Sequence, residues 1–169
     1  AQNSSDDERI ARFILAHAVL LSFPGVPAVY IQSILGSRND YEGVERLGYN
    51  RAINRKKYTA GQVDLELNNK NSICHKIYSR LSEFIAIRRG ESAFHPDAQA
   101  FFESLDEQIL KIVRVAENGE RITALFNFSN NVHTVYGDTL TGMELLSGQA
   151  VSGKELTLNP WQVMWIKEN

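Results

Sequence analysis

From Ile10 onward, apolar residues return every third or fourth position: Ile10, Phe13, Ile14, then Ala18 (or His17) and Leu20 or Leu21. That spacing turns one face of an α-helix towards a core. Ser5 with Glu8 three residues later has the capping-box spacing that satisfies free amides at a helix start, and Asp6 and Asp7 suit the positive end of the helix dipole. The helix is predicted to run to about Ser22, with Pro24 stopping it. Val26 to Ile31 is short, apolar on both sides and rich in β-branched residues, which predicts a buried strand of a parallel sheet. Residues 32–58 show no sustained period and hold Gly36, Gly43 and Gly48 among many Asn, Asp, Arg and Ser, so a loop with room for one helical turn is predicted there. Thr59 and Gln62 can cap a short helix to about Leu67. Ile73, Ile77, Leu81, Phe84 and Ile85 then form a helical stripe, closed by Arg88, Arg89 and Gly90.

Beyond Ser92 the period drops to near two, which puts a domain boundary between Gly90 and Asp97 and divides the chain into residues 1–92 and 93–169. Phe101 and Phe102 open a strand-rich region. Ile109, Lys111, Val113 and Val115 share one face of a strand, with Leu110, Ile112 and Arg114 opposite, and Asn118-Gly119 signals a hairpin into Ile122 to Phe128. Further strands are predicted at Val132 to Tyr136, Gly142 to Leu146, Lys154 to Leu158 and Gln162 to Ile166, together a small antiparallel sandwich.

The chain has 169 residues, 43% of them hydrophobic and 22% charged, with a formal charge of −2. Such a balance gives no electrostatic case for nucleic acid or an anionic membrane as partner. Cys74 is the only cysteine, so an internal disulfide framework and a Cys-rich zinc site are excluded. His17, His75, His95 and His133 have no ligand spacing, and no cofactor or metal is expected. The acidic N-terminal segment and the lack of an apolar run near 18 residues point to a soluble, cytoplasmic chain. Asn127-Phe128-Ser129 matches a glycosylation acceptor in form, but its apolar context favours a sheet and turn role. Trp161 and Trp165 are read as packing residues before a sugar-stacking platform.

The order of capped helix, PGVPAVY, a polar loop holding NRAINRKKY, a second helix and a β-region containing ALFNFS resembles the C-terminal end of α-amylase superfamily (glycoside hydrolase family 13) enzymes. GVPAVY resembles the eighth strand of their (β/α)8 barrel. RAINR resembles the loop of the sucrose phosphorylase-like branch in which an arginine reaches the glucosyl subsite, and GSRNDYEGVERLGYNRAINRKKY is the most specific part of the likeness. The resemblance implies an α+β chain made of the last helix, strand, loop and helix of a TIM barrel followed by a small β-sandwich domain.

It further implies a retaining phosphorylase that moves glucose from sucrose or a related α-glucoside to inorganic phosphate through a carboxylate nucleophile, giving α-glucose 1-phosphate. On this pattern Arg51 contacts the glucosyl unit and a neighbouring carboxylate, since a guanidinium holds two oxygens at fixed geometry. Arg38, Asn39, Asp40 and Tyr41 line the acceptor side, and Asn54 and Arg55 fix the loop. The family's catalytic carboxylates precede its eighth strand and would lie upstream of Ala1, so the chain is expected to be a fragment without catalytic residues, inactive alone and prone to self-association. A hydrolase or transglucosidase of the same superfamily, and a stand-alone carbohydrate-binding or interaction module, are the other readings.

Overall fold

The computed structural model of the chain describes residues 4–169. They form two compact units, one of residues up to Pro27 together with Glu83–Asn169, the other Ala28–Ser82. The first unit opens with α1 (Asp6–Ser22), where Ser5 Oγ accepts from the Glu8 amide at 3.2 Å and Ile14, Leu15, Ala18 and Leu21 face inward, as the periodicity predicts. Its last turn carries no basic residue of its own. Two arginines from elsewhere serve its C-terminal carbonyls. Arg88, near the end of α5 (Ile73–Gly90), donates to Leu21 O and, at 2.8 Å, to Gly25 O. Arg114 donates at 2.9 Å to Ser22 O and also to His95 O, Ala98 O and Gln99 O. Burial lowers the pKa of both guanidiniums, and the nearby charge of Arg88 lowers that of Arg114 further. The negative end of a helix dipole is the environment that compensates two such cations.

A six-stranded sheet follows: β1 (Gln99–Ser104), β2 (Ile109–Val115), β3 (Arg121–Asn127), β4 (His133–Glu144), β5 (Gln149–Leu158) and β6 (Val163–Glu168). The order is β1-β2-β3-β6-β4-β5, and every pair is antiparallel. One face carries Ile112, Ile122, Ala124 and Trp165, which meet the helices. Trp165 is fully buried, lies edge-on to Phe84 at 4.8 Å, touches Phe94 at 4.5 Å, and donates Nε1 to Ser22 Oγ at 2.9 Å. On the other face Leu125 and Ile166 form a second core with Leu158, against which Val135, Leu140, Val151 and Leu156 of the β4–β5 arm pack.

The expected sandwich is thus one continuous sheet rather than two, because β6 pairs with β3 on one side and β4 on the other. The predicted strands at Val132 to Tyr136 and Gly142 to Leu146 meet in the single β4, which starts at His133 and ends at Glu144 and whose pairing with β5 shifts register between Tyr136 and Leu140. Glycines at 137 and 142 interrupt the alternation there, so the sequence looks broken where the backbone continues. The Asn118-Gly119 turn stands between β2 and β3 as predicted, with Gly119 at φ +87°. Asn127 is buried and donates to Asn131 O and Asn159 O while accepting from Ser129, a turn-fixing role. Trp161, half-buried beneath the Arg12 guanidinium, adopts φ +56°.

The predicted strand Val26 to Ile31 does not form. Residues 26–30 pair with no strand, a helical turn, α2 (Ile31–Ile34), replaces the end of the segment, and Val26 is 83% exposed. A parallel strand exists only through its ladder partners, and the sheet of residues 99–168 pairs its own strands alone. The second unit continues through α3 (Tyr41–Leu47), a 3₁₀ turn Asn50–Asn54, α4 (Ala60–Asn68) and the first turns of α5. Thr59 and Gln62 form the expected capping box, each backbone amide bonded to the other's side chain. Cys74, Ile77 and Leu81 are buried on this part of α5. Burial, and to a lesser degree Glu66, pushes the Cys74 thiol up.

Candidate functional site

The polar stretch from Tyr30 to Tyr58 contains more regular structure than its composition suggests, and its two limbs are tied together. Tyr30 Oη donates to Asn54 O at 3.3 Å, Gln32 Nε2 to Lys56 O at 2.9 Å, and the Asp40 amide to Ile53 O at 2.8 Å. A relay of hydroxyls closes the base: Tyr58 Oη donates to Ser37 Oγ at 3.0 Å, and Ser37 Oγ to Gln32 Oε1 at 2.6 Å. Two glycines permit this path. A Cβ on Gly36, at φ +59°, would lie 2.6 Å from Ile77 Cδ1, and one on Gly43 would lie 2.2 Å from the Asp40 carboxylate that caps α3. That cap is the bond from the Gly43 amide to Asp40 Oδ1 at 3.0 Å.

Arg51 sits on the 3₁₀ turn with its side chain exposed, while its neighbour Ala52 is buried and anchors the turn. The turn packs against α3. The turn fixes the Arg51 backbone, while its exposed side chain keeps its rotamer freedom. Asn39 Nδ2 donates to Tyr41 Oη at 3.2 Å, so these two present one polar surface at the start of α3. Arg38 lies elsewhere on the loop, lining a cavity of about 270 Å³ with Lys56, Tyr58, Glu66 and Cys74. The loop therefore groups Asn39, Asp40 and Tyr41 at the start of one short helix and Arg38 with a different set of side chains. Asn54 takes part through its carbonyl and Arg55 through its amide, which donates to Ala52 O at 3.0 Å.

The Lys56 ammonium stands 5.3 Å from the Tyr58 ring centroid, and both residues line the Arg38 cavity. The signal available in the sequence was Tyr58 itself, a large aromatic ending a polar run just before a helix cap. The two tryptophans divide: Trp165 is core, and Trp161 packs under Arg12.

No protein-family model matches the chain. Over 98% of its length it is 54% identical to a glucosylglycerate phosphorylase of Escherichia coli (strain K12), of which it covers 30%. A glucosylglycerate phosphorylase of Allomeiothermus silvanus is 34% identical over 97% of the chain and 28% of that enzyme. A sucrose phosphorylase of Agrobacterium vitis is 33% identical over 56% of the chain and 17% of its own length. The chain spans less than a third of the length of these relatives. Among solved structures, a trehalulose synthase mutant aligns with TM-score 0.70 at 16% identity, covering 94% of this chain and 38% of that one. A maltogenic amylase from S. marinus aligns with TM-score 0.65 at 18% identity, over 93% and 19%. At such identity these two speak for the fold alone, a mixed helical and antiparallel-sheet arrangement. The phosphorylase relatives identify the chain as the C-terminal portion of an α-amylase superfamily (glycoside hydrolase family 13) enzyme of the sucrose phosphorylase-like branch, and the fold agrees with that membership.

Proposed function

We propose that this chain is the part of a retaining α-glucosyl phosphorylase that brings an arginine to the glucosyl subsite, and that the donor of the whole enzyme is an α-glucoside of a small hydroxy acid, glucosylglycerate. The observation that carries this reading is the 54% identity, over nearly the whole chain, to a glucosylglycerate phosphorylase. In it, residues 1–92 complete a (β/α)8 barrel and residues 93–169 form its β-domain. Residues 26–31, unpaired here, become the eighth strand once seven neighbours supply ladder partners. The catalytic carboxylates come from the rest of the enzyme.

Arg51 grips two oxygens of the glucosyl unit and a neighbouring carboxylate, fixing the sugar for in-line attack by the nucleophile. Asn39, Asp40 and Tyr41 border the acceptor side, with Arg38 supplying positive charge near the acceptor carboxylate or phosphate. Asn54 and Arg55 keep the turn in place. Phosphate then displaces the enzyme-bound glucosyl group, and two inversions retain the α configuration. The chain by itself turns nothing over, its apolar surface at Val26, Tyr30 and Ile31 leads two copies to associate, and the enzyme works in the cytoplasm.

The test is product identification with the whole enzyme. Incubation with glucosylglycerate and phosphate should release α-glucose 1-phosphate and glycerate, with release of free glucose remaining minor. Phosphate-independent release of glucose as the main product would reject phosphorolysis, and a faster reaction with sucrose would reject the donor assignment.

A further inference from the structure

The β-sheet holds an unassigned groove of about 430 Å³, open where the β4–β5 arm arches over the face of β2 and β3. That volume lies within the range of small-molecule sites, about 300–1,000 Å³. We propose that this groove binds a neutral sugar, at a site separate from the Arg51 loop. Three features of the groove select that class. Its floor includes the part-exposed Val135, Leu140 and Leu156, which lie against the buried Leu125 and give an apolar patch suited to the C–H face of a pyranose ring.

Its rim balances charge. Glu103, Asp138 and Glu168 are matched by Lys111, Arg121 and Lys154, so the groove offers both donors and acceptors without a net field favouring an anion or a cation. Several of these groups are held in place: Lys111 Nζ lies 3.0 Å from Glu103 Oε2, and Glu168 Oε1 accepts from Arg121 Nε at 3.1 Å and from Thr123 Oγ1 at 2.6 Å. Each fixed carboxylate and ammonium keeps further bonding capacity for hydroxyls. Finally, the β4–β5 register shift falls at this groove. Tyr136, 73% exposed, and the segment 137–139 between the two ladder blocks lie on its lining. Bulged strand segments re-aim side chains at sites, and an exposed tyrosine gives a flat apolar face with a polar tip.

Titration of the full chain with methyl α-glucopyranoside, followed by amide spectra, tests the assignment. Saturable shifts are expected at Tyr136, Thr139, Lys154 and Thr123, with a Kd of about 1 mM, a weak-site affinity. Tyr136→Ala, a change at an exposed position, should raise that Kd at least tenfold while leaving the remaining spectrum in place. Inorganic phosphate should leave the groove signals unmoved. Sugar-induced shifts restricted to residues around Arg51, or none at all, would overturn the proposal, as would saturation of the groove by phosphate and not by the glucoside. These readouts do not depend on phosphorylase activity, so the groove and the proposed function can fail separately.

Discussion

Two arginines with opposite surroundings define what single residues do in this chain. Arg51 is exposed on a pinned turn, so its removal should leave folding stability within about 0.5 kcal/mol. In the whole enzyme, Arg51→Ala should nevertheless lower phosphorolytic kcat/KM by about 10²-fold or more, since a hydrogen bond to a charged group contributes about 1.5–3 kcal/mol and the proposed grip on the sugar would have two. Steady-state rates paired with thermal unfolding separate the two effects, and a large fall in stability would assign Arg51 to loop support instead. Arg114 is the reverse case. It is fully buried and serves four carbonyls, so Arg114→Leu strands buried acceptors and should cost about 3–5 kcal/mol in urea unfolding. The sequence placed Arg114 on the same strand face as Ile112 correctly. Its burial was not legible, because the partners that make burial tolerable come from α1 and from residues 95–99, far away along the chain.

At the scale of elements, local chemistry announced the helices and distant pairing decided the strands. Ser5, Thr59 and Asn118-Gly119 act within four residues of themselves, and the helix starts and hairpin they predict are present. The segment 26–31 has the composition of a buried strand, yet hydrogen-bonded neighbours are a property of the fold and not of the segment. In the site loop the polar pattern hid two elements of different kinds: α3, which a local Asp40 cap starts, and the 3₁₀ turn, whose Asn54 carbonyl is tied to Tyr30, 24 residues away. One tie between elements makes a pH prediction. Lys167 on β6 reaches Glu91 Oε2 at 2.6 Å and Glu120 Oε2 at 2.8 Å, while Glu120 Oε1 accepts from the Ala93 amide. Burial works to raise the Glu120 carboxyl, but the bonds from Lys167 and Ala93 outweigh it and hold the pKa below the ordinary 4.5. The two carboxylates hold Lys167 above 10.5. A depressed acid stabilises the fold above its unfolded pKa and loses that contribution as pH falls through the folded value; a raised base contributes below 10.5 and loses it as pH climbs through its own folded value. Stability should therefore decline on both flanks of neutral pH, and Lys167→Met should flatten both declines in unfolding curves taken from pH 3 to 11. Unchanged flanks in that variant would remove the triad from the explanation.

For the molecule as a whole, the helix-on-sheet unit and the loop-bearing unit are each internally tied, while Val26, Tyr30, Ile31 and Leu65 remain exposed. Surface of this kind should draw two chains together, and light scattering should report a mass near twice 19.1 kDa at micromolar concentration. A dilute monomer with well-dispersed amide signals would contradict that expectation. The central claim, that this chain completes a glucosyl phosphorylase, is tested most directly by exchange. Replacing the matching 30% of the Escherichia coli glucosylglycerate phosphorylase with this chain, 54% identical to it, should yield an enzyme that forms α-glucose 1-phosphate from glucosylglycerate and phosphate. The activity should fall again with Arg51→Ala. A folded exchange enzyme that binds donor yet forms no α-glucose 1-phosphate would contradict the claim.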